Sequence, residues 1–236
     1  MLLCDLRESK RLATLRPVLL AGGEAAIRQP WRVALALALD ALGADADLSD
    51  LAVLASQPPG KVAFVRQMLV RQSHTLPAHG AGRYFDGVAA LLLGRGDADF
   101  EGELAVALEQ AADPQPLQPF AFAIDREQQP WQVDLRPMMR ELLHDLRAGV
   151  PVPALSARFH ETLAAALAAV VQVARKAYHT LPIVLTGGCM HNALLVSGLQ
   201  RRLASDGEVL LHRQVPAGDG GLALGQAVVA AARTAP

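Results

Sequence analysis

The sequence is poor in aromatic residues, charged residues and cysteines, and each shortage excludes a class of protein. Of its 236 residues, 19% are charged, 4% are aromatic and 52% are hydrophobic, which suits a chain with a core and not a disordered one. Its two cysteines, Cys4 and Cys189, offer neither a disulfide framework nor a zinc cluster. The formal net charge is -1, so the sequence lacks the excess of basic residues that is typical of nucleic-acid binders. We therefore expect no nucleic-acid partner.

Long apolar runs are also missing. A bilayer-spanning helix needs roughly 20 apolar residues, and the run Leu15–Leu20 is interrupted by Arg16 and Pro17. The opening segment Met1–Arg7 reaches charged residues too soon for a signal peptide. These features predict a soluble, cytoplasmic protein with no membrane partner.

The pattern of apolar residues predicts an α/β fold, in which a helical first half precedes a small mixed sheet flanked by helices. The first half, 1–115, is expected to form a mostly helical subdomain, and its opening stretch Leu2–Leu6 is either a strand or a connector. The second half, 116–236, is expected to form an α/β lobe. Its predicted elements are strands at 120–125, 131–134, 182–186 and 208–213, and helices at 137–146, 154–178, 192–204 and 222–233.

A pair of glycines follows the predicted buried strand at 182–186. Gly187 and Gly188 would let a ligand approach the backbone, next to the free N–H groups of the following helix. Asn192 could present its amide to a ribose or a base. The alternative is that the glycines make only a tight turn and that Asn192 caps the helix.

A second glycine-rich turn follows the next strand and precedes the last helix. Asp219 lies there between Gly218 and Gly220–Gly221, where its carboxylate could reach a metal or a phosphate-bound cation. The alternative is an ordinary helix cap. Because neighbouring parallel strands end at the same edge of a sheet, the two turns are expected to lie together, as in a nucleotide site.

A third glycine precedes a predicted helix at Gly82. Arg83 could contact phosphate and Asp86 ribose hydroxyls, or the two could form a surface ion pair. Cys189 is either a nucleophile activated by a helix N-terminus or a small buried residue. His160 either points into a cleft or is a structural histidine.

Taken in order, these segments resemble the C-terminal part of the HypF family, the carbamoyltransferases of nickel–iron hydrogenase maturation. The matching segments are Gly22–Arg32, Gly82–Leu91, Phe100–Glu103, Phe159–His160, Thr186–Asn192 and Val215–Gln226. The resemblance implies a lobe of the actin-like ATPase, ribonuclease H-like type, similar to the TsaD family. It also implies transfer of a carbamoyl group from carbamoyl-adenylate, formed from carbamoyl phosphate and ATP, to the C-terminal cysteine of HypE.

The resemblance assigns the site residues as well. It implies nucleotide contacts at Gly82, Arg83, Asp86, Gly187, Gly188, Asn192, Gly220 and Gly221, and a metal ligand at Asp219. The histidine pair that binds the family's metal is missing from the chain. Zinc, iron or magnesium is therefore expected only if those ligands come from elsewhere, since one carboxylate leaves most coordination positions to water.

Complete members of the family are much longer than this chain. The resemblance thus predicts that the chain is not active alone and that its partners are HypE and a chain carrying the remaining HypF domains. The alternative is an inactive remnant that serves as a nucleotide- or protein-binding module.

Overall fold

The computed structural model describes residues 1–178 and 181–234. The strands are β1 (Leu2–Cys4), β2 (Ser9–Arg11), β3 (Ala13–Leu15), β4 (Val18–Ala21), β5 (Thr75–Ala78), β6 (Ala123–Asp125), β7 (Trp131–Asp134), β8 (Ile183–Leu185) and β9 (Val209–Leu211). The helices are α1 (Glu24–Arg28), α2 (Trp31–Leu42), α3 (Ala52–Ala55), α4 (Pro59–Val70), α5 (Ala81–Leu93), α6 (Glu103–Gln110), α7 (Arg136–Arg147), α8 (Val152–Tyr178), α9 (Ala193–Leu203) and α10 (Leu222–Thr234). The predicted α/β class is confirmed.

The chain forms two compact units, each built from segments that are not consecutive in the sequence. The terminal unit comprises Met1–Thr14, Ile124–Val133 and Leu163–Pro236, and the central unit comprises Leu15–Ala123 and Asp134–Thr162. The opening residues belong to the terminal unit because Trp131 donates its backbone N–H to the carbonyl of Leu12 at 2.9 Å. The subdomain boundary predicted at residue 115 stays a prediction, and parts of its second half (179–180 and 235–236) lie outside the described residues.

Helices dominate the central unit, and its core is built on α2 and α5. Helix α2 starts after Pro30, is apolar nearly all round, and buries nine of its residues, from Trp31 to Ala41. Gly43 ends it with a φ of 104°, which an L side chain rarely adopts. On one side of this core, β4 pairs antiparallel with β5, and Val18 lies opposite Ala78.

The terminal unit contains the sheet that carries the two glycine-rich turns. Strand β8 pairs parallel with β9, and Leu185 lies opposite Leu211, as expected for successive strand–helix units. Helix α9 connects the two strands and buries Leu195, Leu199 and Leu203. The parallel pairing confirms the arrangement predicted for this part of the sequence.

The prediction of a mostly helical first half left the stretch that contains β1 open between a strand and a connector, and it missed the short strands β2 to β5. Three of the missed strands lie within the first 21 residues, and the fourth is β5. Strands of three or four residues are too short for an alternating pattern to stand out, and Pro77 inside β5 is tolerated only at an edge or bulge. The prediction of a fully buried strand at 182–186 was also wrong for Val184, which is 55% exposed.

The expectation that the chain has no apolar run long enough to span a membrane needs correction at helix α8. By length and composition α8 could cross a bilayer, but 72% of its most apolar window is buried inside the protein. A mostly buried core helix passes the same test, so one such helix is weak support for a membrane span. Charged residues such as Arg158 and Glu161 interrupt the run, which is why the sequence did not reveal it.

The contact between α2 and α5 leads to a testable prediction at Gly87. A Cβ atom there would lie 2.5 Å from Leu37 Cδ1, 3.0 Å from Val33 Cγ1 and 3.3 Å from the backbone nitrogen of Ala34. Overpacking costs about 1–3 kcal/mol, more than the about 1 kcal/mol that alanine gains over glycine in a helix. We expect Gly87→Ala to lower the free energy of unfolding by about 1 kcal/mol, measured by urea denaturation.

The matched control is Gly82→Ala in the same helix, where a Cβ atom would meet nothing within 4 Å. This variant should be as stable as the parent chain or slightly more stable. If Gly87→Ala is no less stable than Gly82→Ala, α2 and α5 do not require glycine at their contact.

Candidate functional site

The first glycine-rich turn joins β8 to α9 in the terminal unit. Gly187 has a φ of 106°, in the left-handed region that favours glycine, and Gly188–His191 form a 3-10 turn. Asn192 then caps α9, because its Oδ1 accepts a hydrogen bond from the backbone N–H of Leu195 at 2.8 Å. The capping role considered from the sequence is therefore confirmed, and the Asn192 side chain is buried.

The second glycine-rich turn follows β9 and lies against the first. Gly187 donates its backbone N–H to the carbonyl of Ala217 at 2.8 Å. A Cβ atom on Gly218 would lie 3.6 Å from the Cα of Gly188 and 3.3 Å from Nε2 of His191. The expected proximity of the two turns is thus confirmed, and a side chain at Gly218 would lie tightly against His191.

Close packing within the second turn explains its last two glycines. A Cβ atom on Gly221 would lie 2.7 Å from the carbonyl oxygen of Pro216, and one on Gly220 would lie 3.2 Å from Pro216 Cγ. Residues Asp219–Gly221 form a 3-10 turn that leads into α10. These glycines let the chain fold back on itself, whether or not a phosphate lies beside them.

Asp219 is exposed, and its carboxylate is a single candidate ligand for a cation. Within residues 1–178 and 181–234, no three His, Cys, Asp or Glu side chains form a group that could hold a metal ion. Ca²⁺ takes about six to eight oxygen ligands, whereas Mg²⁺ is usually held by one or two carboxylates together with waters and substrate phosphates. The described donor set therefore does not by itself complete a site for a resident metal, and no chemical step is assigned to one.

The third candidate group lies in the central unit, in the first turns of α5. Arg83 Nη1 lies 3.0 Å from Asp86 Oδ2, and these side chains are only 13% and 8% exposed. Neither of these two atoms has a hydrogen-bond partner in the described part of the chain. The pair is thus a buried ion pair, and the interpretation as a surface salt bridge was wrong. Gly82 precedes it in open space.

Burial raises the pKa of Asp86 from 3.8 to about 6, although Arg83 acts in the opposite direction. Burial dominates because a carboxylate loses hydration when it leaves water. The stability that Asp86 contributes is therefore complete below pH 3.8 and is lost as the pH rises through about 6. Glu101, whose Oε1 lies 3.3 Å from Arg83 Nη2, raises the pKa of Asp86 further.

Glu101 was not among the candidate site residues. The only sign of it in the sequence was its place in the family-like segment Phe100–Glu103. Its contact with Arg83 spans 18 positions, a separation that no local pattern reveals.

His160 belongs to the core of the central unit. It is 2% exposed, its Nδ1 lies 2.8 Å from the carbonyl oxygen of Ser156, and its ring meets Phe85 and Phe159 edge-on. Burial lowers its pKa, which favours the neutral ring. These contacts favour a structural role. Cys189 is half-buried in the first turn, and its role as a nucleophile or as a small buried residue stays a prediction.

The candidate residues thus form two groups, each described within its own unit. The terminal unit brings together Gly187, Gly188, Asn192 and the Gly218–Gly221 turn. The central unit holds Gly82, Arg83 and Asp86, with Glu101 added.

Comparison with known proteins shows the family to which this chain belongs. Residues 1–226 match the family described as carbamoyltransferase, Kae1-like domain, second subdomain. Carbamoyltransferase HypF2 of Cupriavidus necator is 34% identical over 256 residues, covering 99% of this chain and 31% of that protein. HypF of Rhodobacter capsulatus is 37% identical over 235 residues, covering 99% of this chain and 30% of that protein. The chain spans about a third of the length of these relatives.

Two solved structures show the same fold. Full-length HypF in its phosphate- and nucleotide-bound form superimposes with a TM-score of 0.87 and 29% identity, covering 97% of this chain and 30% of that one. HypF of T. kodakarensis superimposes with a TM-score of 0.81 and 25% identity, at the same coverage. The chain therefore belongs to the family of the second subdomain of the Kae1-like carbamoyltransferase domain, the type found in HypF.

Proposed function

We propose that this chain supplies part of the nucleotide site of a HypF-type carbamoyltransferase acting in nickel–iron hydrogenase maturation. The observation that carries the proposal is the contact between the two glycine-rich turns at the carboxyl ends of β8 and β9. Ligands of open α/β sheets bind at this edge. The nucleotide-bound state of one HypF structure is consistent with a nucleotide as the ligand.

In the terminal unit, the two glycine-rich turns would contact a ligand through backbone groups rather than through side chains. Gly187 and Gly188 carry no side chain that would keep a ligand away, and the start of α9 presents N–H donors and the positive end of a helix dipole. Asn192 uses its Oδ1 as the cap, so its NH2 group is the part that would donate to a ribose or a base. Gly220 and Gly221 pack against Pro216, and the proposal gives them backbone contacts to a phosphate.

In the central unit, the Arg83–Asp86 pair has the chemistry of a nucleotide contact. A guanidinium presents several N–H donors suited to phosphate oxygens, and a carboxylate accepts hydrogen bonds from ribose hydroxyls. Arg83 Nη1 and Asp86 Oδ2 lie 3.0 Å apart within the described residues, so each atom already faces an opposite charge. A bound nucleotide would add hydrogen bonds to this ion pair.

The proposed reaction transfers the carbamoyl group of carbamoyl-adenylate to the C-terminal cysteine of HypE. The cysteine thiolate attacks the carbamoyl carbon, an S–C bond forms, the C–O bond to the phosphate breaks, and AMP leaves with the electron pair. The part of this chain is to bind and orient the adenylate. The proposal places the reaction in the cytoplasm. It assigns any zinc, iron or magnesium ion to ligands completed from outside this chain.

A second candidate function is a binding module without catalysis, specific for a nucleotide or for a protein such as HypE. The observation that favours it is the chemistry of the two candidate groups, since backbone N–H groups, a guanidinium and a carboxylate are suited to binding a nucleotide. Nucleotide binding without carbamoyl transfer in the assay below would support it.

The transfer assay uses HypE, carbamoyl phosphate and ATP as substrates. We expect HypE to gain the mass of one carbamoyl group only when this chain is mixed with a second polypeptide, namely C. necator HypF2 lacking the region aligned with this chain. Intact mass spectrometry measures the product. Controls omit one polypeptide at a time. Carbamoylation by this chain alone, or none in the complete mixture, would contradict a shared site.

A substitution at Asn192 can separate its capping role from its proposed role in nucleotide binding. Asn192→Asp keeps the cap acceptor but replaces the amide donor with a negative charge. We expect the free energy of unfolding to change by less than about 0.5 kcal/mol, whereas affinity for ATP, measured by isothermal titration calorimetry, falls about tenfold or more from lost hydrogen bonding and phosphate repulsion.

Gln200→Glu is the matched control, because it makes the same chemical change at an exposed position of the same helix. Its ATP affinity should equal that of the parent chain. Undiminished ATP binding by Asn192→Asp would exclude Asn192 from the nucleotide site.

The raised pKa of Asp86 predicts that the affinity for a nucleoside depends on pH. Ribose hydroxyls donate to the ionised carboxylate, whose pKa in the ligand-free protein is about 6. Affinity for adenosine, which has no phosphate to titrate, should fall about tenfold from about pH 7.5 to about pH 5. Calorimetry at both pH values checks this, and Asp86→Asn should remove the dependence. A pH-independent affinity in the parent chain would show that Asp86 does not contact the ribose.

A further inference from the structure

Strand β9 has a free edge on the side that faces away from β8. In the part of the chain that the structure describes, β9 pairs with β8 alone. Ile183 lies opposite Val209 and donates its backbone N–H to the carbonyl of Glu208 at 2.8 Å. Because backbone groups of alternate residues point to opposite sides of a strand, those of Val209 and Leu211 face away from β8. Such an edge is a ready template for a further strand.

A groove of about 600 Å³ lies along this strand, lined by residues 208–215 and by Gln200 of α9. We call it the β9 groove. All of its residues belong to the terminal unit. Eight residues of extended chain measure about 26 Å, so the length of the lining suits an extended peptide better than a compact small molecule.

The two ends of the β9 groove carry opposite charges. Glu208 lies at its start, and His212 and Arg213 lie near its end, shortly before the second glycine-rich turn. Arg213 is exposed and forms no ion pair within residues 1–178 and 181–234.

This charge distribution selects a direction for a bound peptide. A C-terminal carboxylate beside Arg213 would meet an opposite charge, whereas the reverse direction would bring it towards Glu208 and a like charge. The β9 groove therefore favours a C-terminal segment that runs parallel to β9 and ends near Arg213.

We propose that the β9 groove binds the extended C-terminal segment of the acceptor protein as an added parallel strand. This inference rests on the proposed function, in which the acceptor is the C-terminal cysteine of HypE, and it names the surface that binds that segment. Backbone hydrogen bonds to the free edge supply the affinity, as in other cases of strand addition.

The position of the β9 groove gives this binding a consequence for the reaction. The strand leads into the second glycine-rich turn, which contacts the first through the hydrogen bond from Gly187 to Ala217. A segment parallel to β9 therefore ends beside the turns to which the proposed function assigns the nucleotide. Because the last residue carries both the carboxylate and the thiol, an ion pair with Arg213 holds the thiol at that end.

The first experiment adds a synthetic peptide of about ten residues from the C-terminus of HypE, long enough to span the β9 groove. We expect NMR to show amide hydrogen exchange about tenfold or more slower at Val209 and Leu211 with saturating peptide, because these amides gain partners. Leu210, whose backbone faces β8, is the internal control and should change little. No binding at millimolar peptide, or unchanged exchange at Val209 and Leu211 with the peptide bound, would overturn the proposal.

The second experiment tests the direction of the peptide. Arg213→Gln changes an exposed side chain, so the variant should fold normally. We expect this variant, or a peptide with an amidated C-terminus, to lower the affinity about tenfold in calorimetry. Combining the two changes should lower it no further, because both remove the same ion pair.

Arg126→Gln is the matched control, since it makes the same change at an exposed arginine of the same unit outside the β9 groove. It should bind the unmodified peptide as tightly as the parent chain does. Additive effects of Arg213→Gln and amidation would show that the carboxylate does not pair with Arg213 and would overturn the parallel direction.

Light scattering of the chain without peptide tests the other occupant of the edge. A dimer whose formation slows exchange at Val209 and Leu211 would assign the edge to a second copy of this chain and overturn the proposal. A monomer with fast exchange at both residues supports an edge that is free for the acceptor.

Failure of this inference is distinguishable from failure of the proposed function. ATP binding by this chain without binding of the peptide would reject the acceptor site and leave the nucleotide site intact. Peptide binding along β9 without carbamoyl transfer to HypE in the mixed assay would reject the proposed reaction and leave the peptide site intact.

Discussion

Parallel pairing of β8 with β9 positions the two glycine-rich turns that hold the candidate site residues of the terminal unit. The register that sets Leu185 opposite Leu211 ends both strands at one edge, and each strand then enters a glycine-rich turn. The hydrogen bond from Gly187 to Ala217 joins the turns, and each turn leads into a helix. A side chain at Gly218 or Gly221 would meet neighbouring atoms within 3.3 Å. Gly218 and Gly221 are therefore suited to the close packing of the turns, with or without a ligand.

The central unit obtains its candidate site by a different route, from burial. Helix α5 lies close to α2 at Gly87, and near its start the side chains of Arg83 and Asp86 form an ion pair that is only 13% and 8% exposed. The same burial shifts the pKa of Asp86 to about 6, a perturbation typical of functional carboxyl groups. His160 shows the opposite outcome, since its hydrogen bond to Ser156 and its aromatic neighbours make it part of the core.

The second glycine-rich turn leads into an exposed part of the terminal unit. Asp219 is exposed there, and within residues 1–178 and 181–234 it does not belong to a group of donors that could hold a metal. The helix that follows, α10, has no buried residue.

The sequence by itself determined the α/β class, the helices α2, α5, α7 and α8, and the proximity of the two glycine-rich turns, because these depend on local periodicity and on the geometry of parallel strands. It left β1 open between a strand and a connector, and it did not determine β2 to β5, of which β3 and β4 pair with the distant strands β7 and β5. Nor did it show that the Arg83–Asp86 pair is buried, that Glu101 joins it, or that α10 lies uncovered. Burial and long-range contacts decided these features, since the surroundings of a side chain depend on residues far from it in sequence.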